Sequence, residues 1–69
     1  DIDRAVAAAT AAFADLRPNT ADGVRIDFPE GWVHLRASNT EPIVRVITEA
    51  ADADRAAALV ERVRTAASV

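Results

Sequence analysis

The sequence contains no cysteine and no lysine. Without cysteine there are neither disulfides nor thiolate metal sites. All eight basic residues are arginine. Together with eleven acidic residues they give a net charge of −3. This balance argues against a nucleic-acid binder and against a protein that binds anionic membranes. No apolar run approaches the roughly 20 residues that cross a bilayer, and no secretory signal is present, so we expect a cytoplasmic protein.

At 69 residues the chain is one small domain, 1–69. A core of this size is marginal by itself, and no disulfide or thiolate metal site supplements it. The sequence also starts at Asp1, without methionine and inside a predicted helix. We therefore expect a segment cut from a larger protein, whose other parts normally stabilise it.

Two alanine-rich segments have the periodicity of helices. The first predicts a helix over 1–16, ended by Pro18. The second predicts a helix over 53–67, capped by Asp52 or Asp54. The predicted core-facing stripes are Ile2, Val6, Ala9, Phe13 and Leu16 in the first helix, and Ala56, Leu59, Val60, Val63 and Ala67 in the second.

The middle of the chain alternates between apolar and polar residues, which is the period of β-strands. Two strands are predicted, with inward-facing Val24, Ile26, Phe28, Val33 and Leu35. The four residues 28–31, with proline second and glycine fourth, fit a type I turn that joins the two strands into a hairpin. A third strand is predicted over 43–49.

The third strand is apolar on both faces, with Val44 and Val46 on one and Ile43 and Ile47 on the other. This predicts a central strand or one covered on both sides. The order α-β-β-β-α predicts an α+β two-layer domain, with an antiparallel sheet of three to four strands and both helices on one face. On the other face Trp32 would contact a neighbouring domain or, as the alternative, serve as a sugar platform.

The loop 36–42, R-A-S-N-T-E-P, concentrates hydrogen-bond donors between a strand and a proline. Its donor side chains are Arg36, Ser38, Asn39 and Thr40. Arginine matches the planar geometry of phosphate, and backbone N–H groups in a tight turn can converge on the same anion. The alternative is a polar turn in which Arg36 pairs with Glu41 or Asp27.

Other charged residues allow more than one role. His34, the single histidine, is a structural residue or a general acid/base. Arg45 adds positive potential to the loop or pairs with Glu49. Arg25 and Asp27 form a cross-strand pair or are solvated.

Three motifs together resemble the C-terminal domain of the phosphohexomutases, the phosphomannomutase/phosphoglucomutase family. They are D-G-V-R-I-D-F-P-E-G-W at 22–32, R-A-S-N-T at 36–40 and E-P-I-V-R-V-I-T-E-A at 41–50. Each is weak alone, and the combination is specific. The resemblance implies a TATA-box-binding-protein-like fold and a C-terminal domain excised from a larger multidomain enzyme.

By this resemblance, the loop holds the phosphate of a phosphosugar substrate. The implied binding residues are Arg36, Ser38, Asn39 and Thr40, with Arg45 as a further candidate. The parent would interconvert hexose 1-phosphate and hexose 6-phosphate, using Mg²⁺, an enzyme phosphoserine and a hexose bisphosphate intermediate. The reactive serine and the metal ligands would lie in upstream domains of the same chain, its expected partners.

The sequence has no P-loop, no dinucleotide fingerprint, no paired metal-ligand spacing and no nucleophile–base pair. We therefore expect no cofactor in this segment and no activity from it alone. Within the family, the loop sequence Ser-Asn-Thr, rather than Ser-Gly-Thr, favours a phosphomannomutase/phosphoglucomutase over a phosphoglucosamine mutase. The alternatives are a phosphoglucosamine mutase domain and a non-catalytic α+β interaction or ligand-sensing module.

Overall fold

A computed structural model of the chain describes residues 2–38, 40–41 and 43–69. The predicted order α-β-β-β-α is confirmed. The elements are α1 (Ile2–Ala12), a 3-10 turn (Ala14–Leu16), β1 (Val24–Phe28), β2 (Gly31–Ala37), β3 (Val44–Ala50) and α2 (Ala53–Ala67). Neither helix of the described ranges has the length and apolarity of a membrane span.

The first helix is shorter than the predicted 1–16. It ends at Ala12, because Phe13 leaves the helical region with φ −116° and ψ 29°. The Phe13 ring packs edge-on against Phe28 with the centroids 5.3 Å apart. Arg17, before Pro18, is left-handed with φ 54°. The aromatic contact and the proline together replace the last helical turn with a 3-10 turn.

The second helix has the predicted bounds, 53–67. Of the two candidate caps, Asp52 is the one used: its carboxylate accepts a hydrogen bond from the Arg55 N–H at 2.8 Å. This bond satisfies one of the donors that a helix N-terminus leaves unpaired. At the other end Ser68, in a left-handed conformation, directs its N–H to carbonyls of the last turn.

The three strands form an antiparallel sheet in the order β1-β2-β3. Neither Pro29 nor Glu30 has a positive φ, which fits the predicted type I turn and excludes the primed types. The prediction that the third strand is central is wrong, whereas its alternative, cover on both sides, stays a prediction that depends on other domains. Within the described residues β3 lies at the edge, and its Ile47 is 40% exposed. A local apolar pattern cannot specify the order of strands in a sheet.

The core lies between the sheet and the two helices, which both pack on one face. Its buried members are Ala5, Ala9, Val24, Ile26, Phe28, Val33, Leu35, Leu59, Val63 and Ala67. All five inward-facing residues predicted for β1 and β2 are among them. In α1 the stripe is centred on Ala5 and Ala9, while the predicted Val6, Phe13 and Leu16 are partly buried against it. The helices thus cover one face and leave the polar face of the sheet open.

Candidate anion-binding site

The predicted site lies where β2 and β3 leave the sheet. Arg36 of β2 is directly opposite Arg45 of β3, and Ala37 and Val44 form the last pair. Beyond them, the Ser38 N–H donates to the Ile43 carbonyl at 3.0 Å and closes the loop. The two arginines and the start of the loop are therefore neighbours on the open face.

Inside the loop, the Thr40 N–H approaches the Ser38 hydroxyl oxygen at 3.4 Å. This long contact resembles the local turns that serine hydroxyls stabilise. Ser38 is half-buried and Thr40 is exposed. The predicted site residue Asn39 lies outside the described residues. The loop thus holds two of the three predicted loop donors close to the end of β2.

Like charges directly opposite each other on paired strands are destabilising. Arg36 forms an ion pair with Asp22, at 3.2 Å between Nη2 and Oδ2, and its side chain is 29% exposed. None of the ion pairs among the described residues includes Arg45. Arg36 is thus paired with one carboxylate, whereas Arg45 has no ion-pair partner among the described residues, although the exposed Glu41 lies in the adjoining loop.

The partner of Arg36 differs from both carboxylates named in the polar-turn interpretation. It is Asp22, and neither Glu41 nor Asp27. Asp27 instead pairs with Arg25 at 3.1 Å. The two residues lie on the same strand, so this is not the cross-strand pair that was one of the two predicted arrangements. The cause is non-local, because the chain before β1 folds back beside the end of β2. The Asp-Gly pair ahead of the first strand indicates a turn, but it does not specify which residue Asp22 contacts.

Three further observations describe the open face around Arg36. The Arg36 Nε is buried and has no hydrogen-bond partner within the described part of the chain. The His34 ring nitrogen Nε2 lies 2.7 Å from the Asp22 carbonyl oxygen, which is a structural contact. Arg25 lies over the Trp32 ring at 4.5 Å, so part of that ring is already covered by a cation.

The sequence of residues 2–66 matches the family described as "Phosphoglucomutase/phosphomannomutase, C-terminal domain". The chain belongs to this family. The match spans nearly all of the chain, and so covers both helices as well as the motifs of the sheet and the loop.

Individual relatives carry the names of several phosphohexomutases. A probable phosphoglucosamine mutase of Methanocella arvoryzae is 56% identical over 39 residues, 56% of this chain and 9% of the relative. The phosphoglucomutase/phosphomannomutase of Thermococcus kodakarensis is 50% identical over 38 residues, 55% of this chain and 8% of the relative. The phosphomannomutase/phosphoglucomutase of Pseudomonas syringae pv. tomato is 48% identical over 40 residues, 58% of this chain and 9% of the relative. The chain therefore spans about a tenth of the length of these relatives.

Two surface cavities stand out among the described residues. The larger, about 450 Å³, lies between Phe13 and α2, where it is lined by Ala58, Glu61, Arg62 and Thr65. The smaller, about 210 Å³, is lined by Asn19, Asp22 and His34 among others and adjoins the Asp22–Arg36 pair. Size favours the first as a ligand site, but only the second of these two cavities adjoins the Asp22–Arg36 pair. Within the described ranges no three acidic, histidine or cysteine side chains form a possible metal site.

Proposed function

We propose that this domain binds the phosphate group of a hexose phosphate for a phosphomannomutase/phosphoglucomutase. The observation that carries the proposal is the pair Arg36 and Arg45, opposed at the end of the sheet beside the loop that begins at Ser38. A cluster of two arginines beside hydroxyl and backbone donors has the chemistry that recognises phosphate.

The state of Arg36 supports this role. Its guanidinium has five N–H donors. One terminal nitrogen faces Asp22, and the buried Nε has no partner among the described residues. A phosphate oxygen bound by the terminal nitrogen that does not face Asp22 would gain a charge-assisted hydrogen bond. The same anion would offset the repulsion between Arg36 and Arg45. The hydroxyls of Ser38 and Thr40, and the amide of Asn39 by resemblance, complete the proposed binding group.

The reaction of the parent protein is part of the proposal. Family membership and the mutase names of the relatives support an exchange of phosphate between C1 and C6 of a hexose, through a bisphosphate and an enzyme phosphoserine. Membership of the phosphohexomutase family supports placing this reaction in the cytoplasm and its Mg²⁺ and phosphoserine in upstream domains of the same chain. This domain contributes binding energy remote from the reacting oxygen, which orients the substrate.

Phosphoglucosamine as the substrate is the second candidate, since the Methanocella arvoryzae relative carries that name. A clamp that holds only the phosphate does not distinguish the two sugars. The Ser-Asn-Thr sequence at 38–40 favours the first candidate. Comparison of kcat/KM for mannose 1-phosphate and glucosamine 1-phosphate in the full-length protein decides between them.

The test of phosphate binding is Arg36→Ala in the full-length protein that carries this domain. We expect kcat/KM for mannose 1-phosphate to fall at least tenfold, because each charge-assisted hydrogen bond stabilises by about 1.5–3 kcal/mol. Arg25→Ala is the control, since it removes an equal charge from the same face. A loss well short of tenfold in Arg36→Ala would favour a non-catalytic interaction module.

A further inference from the structure

The corner formed by Asp22 and Gly23, just before β1, is fixed against the end of β2. Gly23 has φ +65°, and a Cβ atom at this position would lie 2.1 Å from the Leu35 carbonyl oxygen. Only glycine fits at such a close approach with this backbone conformation. The His34 ring also contacts the Asp22 carbonyl at 2.7 Å. Two independent contacts with β2 therefore hold the corner in place.

The corner brings a carboxylate to Arg36. The Asp22 Oδ2 lies 3.2 Å from the Arg36 Nη2. The Arg36 side chain is 29% exposed, whereas the arginines of the other three described ion pairs are 45%, 59% and 51% exposed. Solvent screens a partly buried pair less than an exposed one. On the arginine side, solvent therefore screens the Asp22–Arg36 pair less than it screens the other three described pairs.

The contact with Asp22 uses one terminal nitrogen of the guanidinium, Nη2. No described contact uses the other terminal nitrogen, and the side chain keeps 29% of its surface exposed, so Arg36 can still donate to a further acceptor. We propose that Asp22 is a positioning residue, which fixes Arg36 in the orientation that binds the substrate phosphate. This inference rests on the proposed function of the loop.

Asp22 could act on a bound phosphate in two opposite ways. As a nearby anion it repels the ligand, and neutralising it would tighten binding. As the residue that orders Arg36 it reduces the entropy lost on binding, and neutralising it would weaken binding. The Asp22 side chain is 61% exposed, so water and salt screen its repulsion. The Asp22–Arg36 contact is short, 3.2 Å, and its arginine is partly buried, so screening weakens the ordering of Arg36 less and we expect it to dominate.

The test is Asp22→Asn in the full-length protein, a variant that keeps the size of the side chain and the carbonyl that His34 contacts. We expect KM for mannose 1-phosphate to rise about fivefold, the effect of losing a partly exposed ion pair. We expect kcat to stay within about twofold, because the lost interaction acts equally on the ground and transition states. The NMR relaxation of the Arg36 Nε–H group should show increased motion, and Asp22→Glu should restore part of the affinity.

Asp27→Asn is the matched control. It removes the same charge from a side chain of similar exposure, 66% against 61%, and its partner is Arg25. KM should be unchanged in this variant. An unchanged or lower KM in Asp22→Asn, alongside a large loss in Arg36→Ala, would overturn the positioning role and leave phosphate binding intact.

If both Asp22→Asn and Arg36→Ala keep full function, the positioning role and phosphate binding are both overturned. If Asp22→Asn does not fold, the relaxation of the wild-type protein still decides. An Arg36 Nε–H group as mobile as that of the helix residue Arg4 would contradict a fixed arginine.

Discussion

The two faces of the sheet are made by the same three strands and differ in almost every property. The face under the helices carries only apolar residues from β1, and Ile26 is completely buried. The open face carries Arg25, His34, Arg36 and Arg45. Because successive side chains in a strand point to opposite faces, each strand contributes to both. One short sequence can thus fill a core and present a charged surface.

The open face is also polarised along its strands. At the hairpin end, Asp27 and Glu49 lie on either side of Trp32, whereas at the loop end Arg36 lies opposite Arg45. Four residues of strand separate the two ends, about 13 Å at the usual rise per residue. This exceeds the screening length of about 8 Å in physiological salt. An anion at the loop end is therefore largely insulated from the acidic hairpin end.

The largest effect is expected from Ile26→Ala, which removes buried apolar volume from the covered face. Ile26 has no exposed surface, so the variant should lose about 2–5 kcal/mol of unfolding free energy. Ile47→Ala is the matched variant on the open face, where the side chain is 40% exposed. It should lose less than about 1 kcal/mol. Urea denaturation of both variants measures the difference.

Similar losses in Ile26→Ala and Ile47→Ala would contradict an open outer face. The full-length protein provides a sharper version of the experiment. If Ile47→Ala costs little in this chain and much in the full-length protein, another domain covers the face around Trp32. That would support the expected contact with a neighbour.

Most of the covered face could be predicted, because alternation in β1 and β2 is a local signal. The second helix was also predictable, since Asp52 marks its start and Leu59 and Val63 recur at helical spacing. The end of the first helix was missed because Phe13 turns toward a ring 15 residues away in sequence. The edge position of β3 was missed because strand order depends on pairing between distant segments.

The site was predictable in composition and not in its contacts. Arg36 and Arg45 share one face of the sheet, which the alternation of side chains along β2 and β3 is enough to predict. The ion pair of Arg36 with Asp22 depends on the close approach of Gly23 to β2, which no local pattern specifies. The role of these arginines in phosphate binding stays a prediction.

Arg45→Ala should separate stability from binding on the open face. Removing a like charge opposite Arg36 relieves repulsion, so the unfolding free energy should stay the same or rise by a few tenths of a kcal/mol. Phosphate affinity should fall about fivefold, because one cation near the ligand is lost. Calorimetric titration of the full-length protein with mannose 1-phosphate measures the affinity.

Arg4→Ala in α1 is the control for Arg45→Ala, since it removes the same charge from the helical layer. Its affinity should equal that of the unmodified protein. Equal losses in the two variants would mean that overall charge attracts the ligand, and that Arg45 has no local role. A loss of stability in Arg45→Ala would instead indicate a structural partner of Arg45, such as Glu49, with which pairing is one of the two roles predicted from the sequence.

The smallest effect is expected from Asp27→Asn, one residue along β1 from Ile26. The Arg25–Asp27 pair is exposed, with side chains 45% and 66% accessible. Exposed pairs contribute about 0.2–1 kcal/mol, and Arg25 keeps its contact with the Trp32 ring when the carboxylate is neutralised. Urea denaturation should therefore detect a change below about 0.5 kcal/mol, smaller still in high salt. A loss of unfolding free energy as large as that of Ile26→Ala would mean that the open face stabilises the fold as much as the covered face does. The covered face would then not be the main source of stability.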